Sequence, residues 1–168
     1  MTQKISPCLW FEDQAEQAAD FYVALFKNSR VIERTVGEEG ESLPSGAVLT
    51  VRFVLDGVEF TALNGGRRFS FTPAISFQVY CDTQAELDEL WGKLAQGGQE
   101  GPYGWINDRF GVSWRVWPKT LPDMLRRGDS ASHRVLEALL GMDKPDISTM
   151  VQAYETPGFR LRPEVAEP

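Results

Sequence analysis

The amino-acid sequence predicts an α+β fold in which two βαβββ modules are followed by a helical tail. The first observation behind this prediction is a repeated hairpin. Segments Leu55–Asn64 and Asn107–Pro118 share a Gly-Val pair, one polar residue, an aromatic residue and then alternating side chains. The second observation is that a strand-like segment and a segment with helical periodicity precede each hairpin. We therefore expect one supersecondary module in two copies.

The first module begins with a predicted strand, Ile5–Phe11, which Pro7 interrupts near its start. Asp13 and Glu16 have the spacing of a capping box, and apolar residues recur after them at helical spacing, so a helix is expected over residues 14–27. Three further strands are predicted, with a polar loop at residues 37–46 after the first of them: Arg30–Val36, Ala47–Leu55 and Val58–Leu63. The last two flank an Asp-Gly dipeptide, which favours the positive φ angles of a type I′ turn.

The second module repeats this order. A strand is expected over Ala74–Cys81, and Thr83 and Glu86 follow it at capping-box spacing. An apolar stripe then predicts the second helix: Leu87, Leu90, Trp91 and Leu94. A shift of 69 residues lays the first strand and helix on the second, whereas the hairpins need a shift of 54. Gly97–Gly104 is expected to be a loop, because its glycines lack the strand-to-helix context of a nucleotide-binding motif.

The pattern becomes helical after Lys119. We predict a short helix starting within residues 121–130, a longer one at Ala131–Met142 and a third at Asp146–Ala153, before a proline-rich end. These helices are expected to pack on the two modules or on a partner subunit. The resulting domain boundaries are 1–64 for the first module, 65–73 for a linker, 74–118 for the second module and 119–168 for the helical tail.

The composition limits the function classes. The chain has 168 residues, of which 42% are hydrophobic and 24% charged, as is ordinary for a globular protein. A formal charge of −7 and a pI near 4.8 argue against nucleic acid as a partner. No apolar run is long enough to span a membrane and no signal-peptide pattern is present, so we expect a cytoplasmic protein with no membrane partner.

Three stretches carry a resemblance to a known family: CLWF in the first strand, AISFQVYCDTQAELDELW in the second module and GWINDRFGVSWRVWP at its end. With the duplicated βαβββ order, they resemble the vicinal oxygen chelate (glyoxalase/bleomycin-resistance/dioxygenase) superfamily. More closely they resemble its PhnB-like branch, many of whose members carry the description 3-demethylubiquinone-9 3-methyltransferase. The resemblance covers about residues 4–118. It implies a glyoxalase-like curved mixed sheet, with a cup for a small ligand and, in many members, a divalent metal.

The resemblance also implies where a metal would be bound. Four positions match the superfamily's metal ligands: Ser6, Thr61, Ala74 and Arg115. Divalent ions on open sites favour imidazole and carboxylate donors, and the permanent cation of Arg115 repels them. We therefore expect no metal and no other cofactor. The methyltransferase description is not matched by a glycine-rich strand-to-helix loop of the kind that binds S-adenosylmethionine.

Strand alternation predicts which side chains line the cup. The inner face is expected to carry Cys8, Trp10, Glu59, Thr61, Leu63, Ser76, Gln78, Tyr80, Ser113, Arg115 and Trp117. The face toward the helices is expected to carry Leu9, Phe11, Phe60, Phe77, Val79, Val112, Trp114 and Val116. Cys8 and Cys81 are too few for a disulfide framework and are expected to be free thiols in strands.

Eight residues of the inner face are the candidate ligand-binding residues: Cys8, Trp10, Glu59, Thr61, Gln78, Tyr80, Arg115 and Trp117. Arg115 is suited to hold a carboxylate or phosphonate through two hydrogen bonds, and Trp10, Tyr80 and Trp117 are suited to stack on a flat ligand. The alternative is that the aromatic residues only fill an interface and that Arg115 pairs with Glu59.

Two functions stay open at this point. The first is a metal-free cup that sequesters or senses a small aromatic or anionic molecule. The alternative is an enzyme of the superfamily with an altered site, in which a bound metal or Cys8 acts on a small substrate; no catalytic residue is assigned. A homodimer is also expected, with the apolar faces of the tail helices as the candidate contact. Asp108 and Arg109, at the second hairpin turn, are expected to be a solvated charge pair.

Overall fold

The computed structural model describes residues 3–37 and 46–160. The chain divides into two units, Met1–Phe71 and Thr72–Pro168, and each contains a four-stranded mixed sheet. Most of the predicted polar loop and the proline-rich C-terminal end lie outside the described residues. Within the described ranges, no helix is long and apolar enough to cross a membrane.

The first unit has the predicted βαβββ order. Its elements are β1 (Cys8–Phe11), α1 (Ala15–Leu25), β2 (Arg30–Val36), β3 (Val48–Leu55) and β4 (Val58–Asn64). The strand order is β1-β4-β3-β2, in which β1 runs parallel to β4 and the other neighbours are antiparallel. Strand β1 starts three residues later than predicted. Before it, the chain meets β4 through the Pro7 carbonyl, which accepts from the Thr61 N–H, and proline has no N–H to extend the ladder.

The turn between β3 and β4 has the predicted conformation. Asp56 and Gly57 have φ angles of 43° and 84°, which are both positive, as a type I′ turn requires. The Asp-Gly prediction is confirmed.

The start of α1 differs from the prediction. The residue before the helix is Gln14, and its side chain makes no capping hydrogen bond. Instead, the Asn64 Oδ1 atom at the end of β4 accepts from the Ala15 N–H at 2.7 Å. The predicted capping box of Asp13 and Glu16 is therefore wrong, and Glu16 pairs with Arg34 on β2 at 3.4 Å. The first helical N–H thus binds a buried side chain of a strand instead of a carboxylate that is close in sequence.

The second unit has the predicted βαβββ order, but one of its strands lies in a segment that was expected to be a loop. Its elements are β5 (Phe77–Cys81), α2 (Gln84–Ala95), β6 (Gln99–Glu100), β7 (Trp105–Asn107) and β8 (Ser113–Pro118). The strand order is β5-β8-β7-β6, with β5 parallel to β8. The expected loop Gly97–Gly104 thus contains β6, which is two residues long and too short for alternation to show. Strand β5 starts three residues later than expected, after a turn at residues 73–74.

The capping box of α2 is confirmed at its first residue. The Thr83 side chain accepts from the Glu86 N–H at 3.2 Å, while the Glu86 carboxylate accepts from the Asp82 N–H at 2.8 Å. In a reciprocal capping box the Glu86 carboxylate would accept from the Thr83 N–H, so here it binds the N–H of the residue before the cap. The predicted apolar stripe of α2 is buried.

The turn between β7 and β8 corrects another expectation. Asp108 is only 4% exposed. Its Oδ1 atom accepts from the Phe110 and Val112 N–H groups at 2.9 and 3.0 Å, and its Oδ2 atom accepts from Trp114 Nε1 at 2.8 Å. The predicted solvated charge pair is wrong for Asp108, because the carboxylate folds under its own turn and binds donors there.

The first strand and the helix of each module are related to their counterparts by two different sequence shifts. In the helices, Ala18 and Tyr22 correspond to Leu87 and Trp91, a shift of 69, and all four side chains are buried. In the first strands, Cys8 pairs with Thr61 and Gln78 pairs with Arg115. Because Thr61 and Arg115 correspond through the hairpin shift of 54, Cys8 corresponds to Gln78, a shift of 70. The predicted shift of 69 is thus wrong by one residue in the strands.

The predicted division of the strands into two faces is largely confirmed. Six of the side chains that were assigned to the helix side are buried: Leu9, Phe11, Phe60, Val112, Trp114 and Val116. Phe77 and Val79, on edge strand β5, are half-buried. The alternation itself follows from the two-residue period of a strand.

The tail forms three helices, α3 (Leu121–Leu125), α4 (Ser130–Leu140) and α5 (Ile147–Glu155). Asp129 and Asp146 cap the last two. The helices share a buried cluster, here called the tail core: Leu121, Val135, Ala138, Leu139, Met150 and Ala153. Trp117 of β8 packs against this cluster, so the tail is built onto the second module.

Candidate functional site

Arg115 lies on β8, with Gln78 of β5 and Trp105 of β7 as its register partners. Its guanidinium carbon is 4.1 Å from the ring centroid of Trp105 and 5.3 Å from that of Trp117. Both distances are in the range of cation–π attraction. We call the surface formed by Gln78, Tyr80, Trp105, Arg115 and Trp117 the Arg115 face of the second sheet.

The hydrogen-bonding capacity of Arg115 is not used within the part of the chain that the structure describes. Its Nε atom is buried and has no acceptor there, and the Trp105 Nε1 atom is in the same condition. None of the described carboxylates forms an ion pair with Arg115. A buried donor without an acceptor costs about 1–3 kcal/mol, so an acceptor beside these two N–H groups would be stabilising.

The other predicted residues of this face lie beside Arg115. Tyr80 is 43% exposed and is the register partner of Trp117. Its hydroxyl donates to Gln78 Oε1 at 3.1 Å. Trp117 is half-buried, and its Nε1 atom donates to the Tyr103 carbonyl at 2.8 Å. The second sheet thus brings together four of the candidate residues and adds an aromatic one.

Trp105 is the residue that sequence reasoning missed. It lies two positions before Asn107, where the predicted hairpin began. The pairing of Asn107 with Ser113, extended by two residues on each side, gives Trp105 opposite Arg115. Extending the predicted hairpin with its two-residue period would have found this neighbour.

The candidate residues of the first unit are arranged around a second arginine that the sequence analysis did not single out. Arg52 of β3 is the register partner of Thr61, which in turn pairs with Cys8. Its Nη2 atom is 2.8 Å from Glu59 Oε1, and its Nη1 atom is 3.0 Å from Glu33 Oε2. The hydrogen bond with Glu59 raises the pKa of Arg52 above its usual value. Glu59 is therefore engaged by Arg52 rather than by Arg115.

Trp10 is held against residues that follow β4. Its Nε1 atom donates to the Gly66 carbonyl at 2.9 Å, and its ring meets Phe69 edge to face at 5.0 Å. A Cβ atom on Gly65 would lie 2.1 Å from the indole, so only glycine fits beneath the ring. Stacking of Trp10 on a ligand stays a prediction, and the contacts seen here hold the end of the first unit together.

The four positions matched to metal ligands do not fit a divalent ion. Ser6 precedes β1 and Ala74 lies in the turn before β5, while Thr61 and Arg115 lie on strands. They supply two hydroxyls, a methyl group and a cation, in place of the imidazole and carboxylate donors that such a site uses. Among the residues with described positions, no group of three or more His, Cys, Asp or Glu side chains could hold a metal ion.

Solved structures define the class of the fold. The protein PA1353 from Pseudomonas aeruginosa matches with a TM-score of 0.58 and 20% identity over 70% of this chain and 98% of its own. The fosfomycin resistance protein FosX of Listeria monocytogenes, solved with Mn(II) and sulfate, matches with a TM-score of 0.51 and 16% identity over 77% of this chain and 99% of its own. The chain shares the fold of these two proteins, and this agrees with the two-module fold that the resemblance implied.

The family follows from a family model and from a closer relative. The chain belongs to the family described as 3-demethylubiquinone-9 3-methyltransferase, whose model matches residues 3–117. The PhnB protein from Bacillus cereus is 36% identical to it over 68% of this chain and 98% of its own, with a TM-score of 0.62. No match was found among curated proteins.

Proposed function

We propose that this protein binds a small organic anion at the Arg115 face and that aromatic carboxylates are its preferred ligands. The observation that carries the proposal is the contrast between two arginines. Arg52 is neutralised by Glu33 and Glu59, whereas Arg115 has no acceptor or carboxylate partner among the described residues. A ligand carboxylate would supply that partner.

The chemistry of the face favours a flat ligand. A guanidinium presents pairs of N–H donors in one plane, which match the two oxygens of a carboxylate. The rings of Trp105 and Trp117 contact the guanidinium and offer apolar surface to the rest of the molecule, and Tyr80 is the register partner of Trp117. An aromatic acid offers both a carboxylate for the guanidinium and a flat apolar ring for the tryptophans, and the two groups are coplanar or nearly so.

The test uses a pair of ligands that differ mainly in charge, 2-naphthoate and 2-naphthamide, with EDTA present. We expect the carboxylate to raise the melting temperature and to bind more tightly than the amide in calorimetry. Arg115→Gln is expected to weaken carboxylate binding about 10- to 100-fold, because a charge-assisted hydrogen bond contributes about 1.5–3 kcal/mol. Arg127→Gln, which removes an exposed arginine of the same unit, is the matched control.

Three results would count against the proposal. They are equal affinity for the two naphthyl compounds, equal carboxylate affinity in wild type and Arg115→Gln, and binding that requires an added divalent metal. Homodimer formation remains a separate prediction, and light scattering at micromolar concentration tests it.

A second candidate function is methyl transfer, which is favoured by the family description. Its test is to incubate the protein with S-adenosylmethionine and a demethylated quinol, and to look for the methylated product by mass spectrometry. Product formation that exceeds a buffer control would make the protein an enzyme. Carboxylate binding without any turnover would favour the binding protein.

A further inference from the structure

Trp117 joins the proposed anion site to the tail. On one side its indole ring lies 5.3 Å from the Arg115 guanidinium carbon. The same side chain packs against the tail core of α3, α4 and α5. Residues 115 and 117 share one face of β8 because strand side chains alternate. The tail helices therefore contact the ring that contacts the arginine.

The orientation of the Trp117 ring is set by a loop that the tail holds in place. Trp117 Nε1 donates to the Tyr103 carbonyl, and the Tyr103 N–H donates to the Met142 carbonyl at 2.9 Å. The next residue, Gly104, donates its N–H to the Asp143 carbonyl at 2.7 Å. Residues 103 and 104 thus bind to the α4–α5 connection on one side and to Trp117 on the other.

Gly104 allows this close approach. Its φ angle is +80°, and a Cβ atom there would lie 2.7 Å from Trp117 Cδ1 and 2.8 Å from the Val116 carbonyl oxygen. Any larger residue would push the indole away from its present position. The ring is consequently confined by backbone on this side and by the tail core on another.

The α4–α5 connection is itself attached to the module. The Gln84 side chain donates to the Pro145 carbonyl at 3.2 Å and accepts from the Ile147 N–H at 2.8 Å. Lys144 and Asp88 of α2 form an ion pair at 2.7 Å. These contacts fix the position of the α4–α5 connection on the second module. The connection in turn binds the loop at residues 103–104.

From these contacts we infer that the tail positions Arg115 for ligand binding, with Trp117 as the positioning residue between them. The inference rests on the proposed function for its consequence in binding. Arg115 has no hydrogen-bond partner within the described chain, so its contacts with Trp105 and Trp117 are what orient it. A loosened tail core would release the Trp117 ring, and Arg115 would have to be ordered again when the ligand binds.

A matched pair of substitutions tests the inference. Leu139 is 4% exposed and belongs to the tail core, whereas its neighbour Leu140 is 50% exposed. Leu139→Ala is expected to weaken 2-naphthoate binding about two- to tenfold and to weaken 2-naphthamide binding less, because the amide shares the ring contacts but makes no ion pair with Arg115. Leu140→Ala is expected to change neither. Leu139→Val and Trp117→Phe are milder variants that serve if Leu139→Ala does not fold.

Two readouts separate a positioning role from general destabilisation. The first is a double-mutant cycle: Leu139→Ala should cause a smaller loss of carboxylate affinity once Arg115→Gln is present. The second is the NMR chemical shift of the Arg115 Nε–Hε group, which needs no ligand. The indole ring currents displace this shift, so it should move toward its random-coil value in Leu139→Ala and stay unchanged in Leu140→Ala.

The outcomes distinguish the inference from the proposed function. An unmoved Arg115 resonance in folded Leu139→Ala, or an equal loss of affinity in the Arg115→Gln background, overturns the positioning role. A moved resonance in a protein whose wild type does not bind 2-naphthoate supports the coupling of the tail to Arg115 and refutes the binding function.

Discussion

Replacing Asn64 by Ala is expected to destabilise the first unit by about 2–4 kcal/mol. The side chain accepts from the Ala15 N–H at 2.7 Å and donates to the Val48 carbonyl at 2.9 Å. Each bond contributes about 1 kcal/mol, and the buried Ala15 donor then lacks an acceptor, which adds about 1 kcal/mol or more. Asp13→Ala is the matched control. It removes the carboxylate that the sequence pattern favours as the cap, and we expect an effect within about 0.5 kcal/mol.

The assay follows the first unit separately from the second. Of the five tryptophans, only Trp10 lies in the first unit. In protein labelled with 5-fluorotryptophan, the Trp10 ¹⁹F resonance during a urea titration therefore reports the unfolding of that unit. A loss for Asp13→Ala as large as that for Asn64→Ala, or no loss for Asn64→Ala, would refute the assignment of Asn64 as the helix cap.

Two further predictions concern buried groups of the second unit. Asp108→Asn places an amide among donors that now bind a carboxylate, so we expect the free energy of unfolding in urea to fall by about 1–3 kcal/mol; an unchanged midpoint would contradict this. Burial, and then the charges of Glu86 and Asp82, raise the pKa of Cys81 from 9.0 to about 12. Between these values the unfolded thiol loses its proton while the folded thiol keeps it, so stability should decrease as pH rises from about 9 toward 12. Cys81→Ala should show a smaller decrease, and equal slopes for the two proteins would argue against the shift.

Several features of the fold could be predicted because they depend on neighbours in the chain. The Asp56-Gly57 turn, the Thr83 cap and the buried faces of α2 and β8 all follow from local φ preferences or from side-chain period. The capping pattern at Asp13 failed for a reason that is not local. Asn64 is 49 residues from Ala15 in sequence, and strand pairing brings its amide to the helix end before the nearby carboxylate can be used.

The candidate site also has some features that the sequence could predict and others that it could not. Alternation was sufficient to put Gln78, Tyr80, Arg115 and Trp117 on one face of the second sheet. It could not show that Trp105 lies beside Arg115, because β7 begins two residues before the predicted hairpin. Nor could it show that Glu59 is already paired with Arg52, since that choice depends on which strands are adjacent and in what register.

The sequence by itself determined the duplicated βαβββ order, the apolar sides of β1, β4 and β8, and the family, because these follow from local periodicity and from short motifs. Only the tertiary structure decided which of the two arginines has no carboxylate partner among the described residues and which side chains the tail contacts. Those properties arise from side chains that are distant in sequence, such as Arg52 with Glu33 and Trp117 with the tail core, and they exist only when register and packing bring the groups within a few ångströms.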